Sequence, residues 1–572
     1  MSDGCHTGRI SHARFPDPNH TRPVAKCAAG RQEHAGPPPA LHPAPDRRRT
    51  APADGSRASP ATRMNSSFSA PPGPVRSPEP PGAPGRRAAG RNGGRGLYVV
   101  VALLTLVHLA ALGPGPGSGL GDDFAQYVLH ARNLVEGRPY ADTGYLFNPL
   151  DPWFSPRTYP PGFPLLLAPI YAGLGVDFRA MKVLVALSIG GVLLLLALRA
   201  RRDLGPAAAY AAVLLVGLHP YLWRFREHVL PDLPFTFFCL LALVPIARAG
   251  AKEAGWRERA AWAAASLPAI ALAVATRTIG VVLVPTLLTV LLLRTRRPGR
   301  ALVGCAAAAA ALLAVRLLAF PPGDGYLRQV GDLVAVYGPS LLVPGADRLG
   351  RMAFALSNLW SGGQFPGAGY AAAAATGFLV LAGLSPRLRH PGAAEVFFVG
   401  YLAAVFLWPG VNVRYLVPVL PLYVFYAAAG AERSARRPAG RSLVALAALI
   451  VAVSYAGRYA AAGLGSPGGI GTSAEVRDLY RHVRERTPAD AKFMAELPRA
   501  LTLFTGRAAA SSGRGAEDVL LLAFADSAGI DFLVARAEHD RARGVVERHP
   551  SRFVTVYSNG VYDLFRIVRE PR

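Results

Sequence analysis

The sequence predicts a polytopic α-helical membrane protein that carries a small C-terminal α/β domain. Three observations support this. The chain is 51% apolar, and its apolar residues gather in blocks of roughly 15–20, the length a helix needs to cross a bilayer. The net charge of +26 at pH 7 lies mainly in the N-terminal tail and in short loops between apolar blocks, where membrane topology places arginine and lysine. Past Ser466 the pattern changes to short helical and strand-like runs separated by turn residues.

Residues 1–96 are rich in Pro, Ala, Gly, Ser and Arg and poor in large apolar side chains. Such a segment cannot bury enough surface to fold, so a disordered basic tail is expected. Met64 offers a later start, and the native chain is expected to begin near it. N-terminal sequencing of the endogenous protein that recovered earlier residues would overturn this. Two of the four cysteines lie in the tail, Cys5 and Cys27, and two in apolar blocks, Cys239 and Cys305, so no disulfide framework is expected.

The membrane domain is expected over residues 97–457. Its apolar blocks are Leu97–Gly113, Ala180–Leu198, Pro206–Leu222, Leu233–Ala247, Ala260–Ala275, Thr278–Leu293, Ala301–Phe320, Tyr370–Leu384, Ala393–Trp408, Tyr415–Ala429 and Ser442–Tyr455. A further block, Pro161–Val176, is short and contains Pro164 and Pro169. The six basic clusters, Arg86–Arg95, Arg199–Arg202, Arg248–Arg259, Arg294–Arg300, Arg387–Arg389 and Arg433–Arg441, fall on one side only if that block does not cross. The expectation is therefore about eleven spans, with a cytoplasmic N-terminus and an extracytoplasmic C-terminus. Loops 114–179 and 321–369 then lie outside, as does the soluble domain expected over 466–572.

Within that domain "TSAEVRDLYRHVRERTP" reads as a helix capped by Thr472 or Ser473. "AKFMAE", "RALTLFTG" and "DFLVAR" read as strands, and "AEDVLLLAFADSAGI" as an amphipathic stretch. Asn559-Gly560, between two alternating apolar runs, predicts a hairpin.

The outer polar residues carry the chemistry. Asp122 and Asp123 open an amphipathic helix whose apolar face is Phe124, Tyr127, Val128, Ala131, Leu134 and Val135; Gly137 and Pro139 stop it. One of these carboxylates is a candidate general base or a ligand for a divalent cation; helix capping is the plain alternative. "FREHVLPDLPF" brings Glu227 and Asp232 to the membrane face, as supporting acids, as metal ligands, or as a cap in the case of Asp232. Arg277 and Arg414 stand isolated at outer span ends. Each is a candidate grip for a phosphate or an anchor to lipid headgroups. The histidines form no HExxH pattern, GxSxG is absent, and the loop-confined charge argues against a nucleic-acid partner.

In order, the adjacent acids, "YPPGFPLLLAPIYAGLG", "EHVLPDLPFTFF", "ATRTIGVVLVP" and "RYLVPVLPLY" resemble the GT-C membrane glycosyltransferases. The likeness runs to the superfamily of protein O-mannosyltransferases and lipid A aminoarabinose transferases. It covers roughly Leu97 to Tyr455. The resemblance implies transfer of a sugar from a polyprenyl-phosphate donor to a protein, lipid or glycan acceptor on the outer face of a cell (inner) membrane. It maps the catalytic acid to Asp122 or Asp123 and, by position, the donor-phosphate arginines to Arg277 and Arg414. Tyr159 and Trp153, with Tyr145 and Trp360, are candidates to stack on sugar rings. Where the aminoarabinose transferases carry an acid and a lysine before Pro-Pro, this chain has Thr158 and Tyr159, so a different acceptor or the lack of that metal site is expected. A divalent metal is allowed but not required. The main alternative is a transporter or flippase of lipid-linked sugars, which predicts internally repeated halves; no repeat is seen. A non-catalytic scaffold is a further alternative.

Overall fold

The computed structural model describes residues 89–117, 121–152, 159–294, 326–338, 345–361, 366–408, 410–462, 473–513, 517–537 and 541–569. Residues 1–88 of the expected tail, the block Ala301–Phe320 and Trp153 lie outside these described residues. The last eight residues read as tail, 89–96, are instead helical, continuing the apolar block that starts at Leu97 back to Ala89.

The helices begin and end where local chemistry directs. After α1 (Ala89–Ala110), α2 (Asp123–Glu136) stops at Gly137, whose φ of 67° suits a residue without Cβ. α3 (Gly162–Leu174) has 13 residues and an internal Pro169, so it reaches about 20 Å, short of the roughly 30 Å hydrocarbon layer. α4 (Phe178–Asp203) is capped by Asp177, which accepts from the Ala180 amide at 3.0 Å. Proline at the first turn starts α5 (Pro206–Gly217) and α6 (Pro220–Phe225). Next come α7 (Asp232–Ala249), α8 (Trp256–Thr276) and α9 (Leu283–Arg294). α10 (Tyr326–Tyr337) and α11 (Ala346–Ser361) precede α12 (Pro366–Leu384), α13 (Ala393–Leu407), α14 (Leu420–Ser434) and α15 (Pro438–Ala462).

Among the described residues, seven helices are long and apolar enough to cross a membrane, and four shorter apolar helices accompany them, α3 included. The chain is a multi-pass membrane protein. α4 packs between α1, α5 and α7, and α12 packs against α14. That last pair meets backbone to backbone: a Cβ on Gly430 would run into the Leu379 carbonyl oxygen. Small residues permit such close approach between membrane helices.

The C-terminal residues supply five strands of a six-stranded sheet, together with α16 (Ala474–Arg486), α17 (Pro498–Thr505), α18 (Asp518–Ala528) and α19 (Arg541–Arg548). Its strands are β1 (Tyr145–Leu146), β2 (Lys492–Ala495), β3 (Ala508–Ser511), β4 (Phe532–Arg536), β5 (Phe553–Ser558) and β6 (Tyr562–Ile567), in the order β1-β3-β2-β4-β6-β5. The first four in that order are parallel, and β6 and β5 are antiparallel. The hairpin forms with Gly560 at φ 83°, and Ser473 caps α16 by accepting from the Val476 amide.

Two features of this sheet region depart from expectation. "RALTLFTG", read as a strand, is the helix α17. Pro498 occupies its first turn and Gly506, at φ 74°, ends it. The sheet is also not built from the C-terminal residues alone. β1 comes from the loop after α2, with Tyr145 opposite Ala509 and Leu146 opposite Ala510. Asn148 and Asp151 in the same loop bind Ser511, one through its carbonyl and the other through its hydroxyl.

Candidate active site

The site forms at helix ends, where backbone turns bring polar residues out of the apolar body. Asp122 precedes α2, yet its side chain makes no cap bond to that helix. Its carboxylate reaches α17 instead. Oδ2 accepts from the backbone amides of Arg499, at 2.8 Å, and Ala500, at 3.3 Å. Oδ1 accepts from Arg499 Nε at 2.9 Å and Nη2 at 2.5 Å. Asp122 thus caps a helix 377 residues further along the chain. The free amides and positive dipole end of α17 suit an anion, and here a buried carboxylate supplies it.

Asp123, one residue on, is placed differently. Oδ1 accepts from the Tyr159 hydroxyl at 2.7 Å and lies 3.0 Å from Arg499 Nη2. Oδ2 accepts from Arg414 Nη1 at 2.5 Å. Its side chain keeps 24% exposure against 1% for Asp122, so Asp123 is the carboxylate of the two that a substrate can reach.

Arg414 sits in a 3₁₀ turn, Val413–Val419, started by the Asn412 side chain, which accepts from the Arg414 amide. Its Nε faces both oxygens of Asp232, at 3.1 and 3.0 Å. Asp232 opens α7 and is wholly buried; Arg277, just past α8, pairs with it from the other side. The result is a continuous alternation, Arg277–Asp232–Arg414–Asp123–Arg499–Asp122, of three cations and three anions. Such a network holds together in a poorly solvated place only because every charge has an opposite neighbour.

Tyr159 is held by its own surroundings. Its carbonyl accepts from Tyr140, its ring packs edge-on to Tyr127, and the Arg499 guanidinium lies 5.6 Å from its ring centre. Tyr140 is stacked on His130 of α2, and Asn133 binds the carbonyls of Pro139 and Asp142. α2 and the loop after it therefore form one rigid support. The Tyr159 hydroxyl, which donates to Asp123 and accepts from Arg499, is the part of it that enters the network.

Burial alone would push the Asp123 carboxyl up. Arg499 and Arg414 outweigh burial and hold it well below the usual carboxylate range. Burial, reinforced by Asp123, raises the Tyr159 phenol well above its ordinary value, so it stays a neutral donor. For Arg499 burial opposes the charge, and the Asp122 and Asp123 carboxylates more than restore it.

Sequence reasoning placed Asp122, Asp123, Asp232, Arg277 and Arg414 near one face, and the structure links all five. Glu227 goes elsewhere. Its carboxylate is buried, accepts from Lys182 Nζ at 2.7 Å and the Gly113 amide at 3.2 Å, and lies 3.3 Å from Arg226 Nε. It ties the end of α1 to α4 and to the turn before α7. Glu227→Ala is expected to destabilise the folded protein by about 3–5 kcal/mol by stranding Lys182, measured as a fall in the thermal midpoint in detergent. Of the other aromatic candidates, Tyr145 is buried in β1 and Trp360 is packed against His219 and Tyr455. The donor set does not make a divalent-cation site: Asp122, Asp123 and Asp232 are each occupied by arginine, and among the described residues no three His, Cys, Asp or Glu gather. Arg499 was not foreseen, although Pro498 before it and Gly506 after it were the available signals for a helix.

No family model and no curated protein matches the chain. Solved structures do. ArnT from Cupriavidus metallidurans in the apo state aligns with a TM-score of 0.51 at 15% identity, over 84% of this chain and 99% of its own. The same protein bound to undecaprenyl phosphate gives 0.50 at 14%, over 84% and 100%. The apo oligosaccharyltransferase of Archaeoglobus fulgidus gives 0.52 at 15%, over 77% and 69%. The chain has the GT-C fold. The expected likeness to GT-C membrane glycosyltransferases therefore holds at the level of architecture. In this GT-C chain the adjacent acids stand at the start of α2, and the alternating charge chain runs from them into the helix ends.

Proposed function

We propose that this chain is a membrane glycosyltransferase that moves a sugar from a polyprenyl-phosphate donor to a hydroxyl-bearing acceptor, with Asp123 as general base. Arg414 and Arg277 grip the donor phosphate. The observation that carries the reading is the partly exposed Asp123 carboxylate lying 2.5 Å from Arg414, on a helix-end face of a GT-C body. A carboxylate and a phosphate-binding fork thus belong to one network, the two residue types the transfer needs.

The acceptor oxygen attacks the sugar C1 from the face opposite the phosphate. The C1–O bond to phosphate breaks, the acceptor proton passes to Asp123, and polyprenyl phosphate leaves with the bond's electrons on its oxygen. A guanidinium fork binds such a phosphate through parallel charge-assisted bonds, better than a lysine would. Donor phosphate and Asp123 compete for Arg414. Binding of the donor draws that guanidinium away and leaves Asp123 more basic at the moment it is needed. With the N-terminus cytoplasmic and about eleven spans, the site opens on the extracytoplasmic face of the inner membrane.

The test is incubation of membranes containing the chain with radiolabelled polyprenyl-phosphate sugars. Label appearing in an acceptor supports the reading. Lipid-linked sugar that crosses the bilayer without being transferred overturns it in favour of a flippase.

A further inference from the structure

We infer that Arg499, supplied by the C-terminal layer, is a positioning residue of the transfer site, so that the layer is a working part of the site and not an appended module. This rests on the reading of Asp123 as base. Arg499 is 1% exposed although it belongs to a short helix that connects two interior strands of the sheet, β2 and β3. One guanidinium reaches three groups: Asp122 through Nε and Nη2, Asp123 through Nη2, and the Tyr159 hydroxyl through Nη1. Its own amide is fixed by the same Asp122 that holds its side chain. Asp122 therefore acts as an orienter. It locks α17 in place and aims the Arg499 fork, and the fork and Tyr159 then fix the Asp123 Oδ1 edge. That leaves the Oδ2 edge, toward Arg414, as the side where donor and acceptor meet.

The location in the sheet explains why an arginine there is so well placed. α17 follows β2, and the chain leaves β2 toward β3 on one side while β4 pairs on the other. The carboxyl end of such a strand, at the point where connections diverge, is where parallel sheets present helix amides to anions. Here that place is given to the protein's own acid.

Three groups act directly on Asp123: Arg499 from α17, Arg414 from the turn before α14 and Tyr159 from the segment before α3. Tyr127 of α2 acts through Tyr159 and Arg414, Asp122 through Arg499, and Asp232 and Arg277 through Arg414.

The experiment compares wild type, Arg499→Gln and Arg499→Lys in the full-length chain, with two readouts. The first is transfer kinetics against pH. The second is mass-spectrometric labelling of Asp123 by a water-soluble carbodiimide, which reacts with the protonated acid and needs no turnover. For Arg499→Gln the expected results are a kcat lower by about 10²-fold, as for a displaced reactive group, a donor KM within a few-fold of wild type, and a labelling limb moved to higher pH. Arg499→Lys keeps the charge without the fork and falls between the two. It also serves if the Gln variant does not fold. A labelling limb and a kcat unchanged in both variants overturn the assignment, as does a shifted limb with kcat unchanged. If wild type transfers no sugar, the transferase reading fails, and labelling alone then decides whether Arg499 governs Asp123.

Discussion

Asp123→Asn is expected to abolish most sugar transfer, by about 10²–10⁴-fold in kcat, the usual contribution of a positioned base. The amide keeps the size of the carboxylate and still accepts one bond from Tyr159 or Arg499, so the fold is retained. It cannot take the acceptor proton. Asp122→Asn fails differently. It loses charge against Arg499 and one acceptor for the α17 amides, so transfer falls together with protection of α17 and of β1 against hydrogen exchange. Measuring both variants for transfer and exchange separates the roles. Equal loss of transfer with full protection in both would show that the two acids share one function, against the present assignment. The wild-type pH profile follows from the same geometry. Asp123 is held well below the usual carboxylate range, so it remains ionised throughout neutral and mildly acidic solution. Stability from its ion pairs is present above the unfolded-state value of about 4 and is lost only as pH falls through the lower folded value.

Arg414→Gln has the second largest effect. This residue joins both halves of the charge chain, binding Asp123 with one nitrogen and Asp232 with another. Losing it removes a donor-phosphate fork and leaves two acids sharing fewer cations. A fall in kcat/KM of about 10²–10³-fold is expected, as for loss of a preorganised donor facing developing negative charge. Donor KM should rise more than in Arg499→Gln, because Arg414 is proposed to touch the donor. Titrating polyprenyl phosphate as a product inhibitor reads this directly: weaker inhibition in Arg414→Gln supports the clamp, and unchanged inhibition removes Arg414 from it.

The membrane body was legible because its signals are local. Apolar block length and the basic clusters needed only nearby residues, and isolated arginines such as Arg277 and Arg414 stood out against apolar surroundings. What escaped was pairing across long sequence separation. Nothing in "MKVLV" says that Lys182 will meet Glu227, a contact across 45 residues, so Glu227 looked free for chemistry. "RALTLFTG" alternates apolar and polar residues over a few positions, which mimics a strand. The Pro498 and Gly506 boundary signals outweigh that alternation in the structure. Arg499 was one arginine in an arginine-rich domain, and its value comes only from Asp122, 377 residues away.

That two-residue strand β1 sets a timetable for biosynthesis. Tyr145 and Leu146 leave the ribosome long before Ala509 and Ala510, the partners they pair with. Until then the loop has no sheet to join, and Asp122 faces no helix. Contacts that close over such distances form late and slowly. The charge alternation is therefore complete only once the C-terminal strands and α17 have been made and folded. Under the proposed function, a chain stopped after Tyr455 lacks Arg499 and the partner of Asp122, and is expected to transfer no sugar.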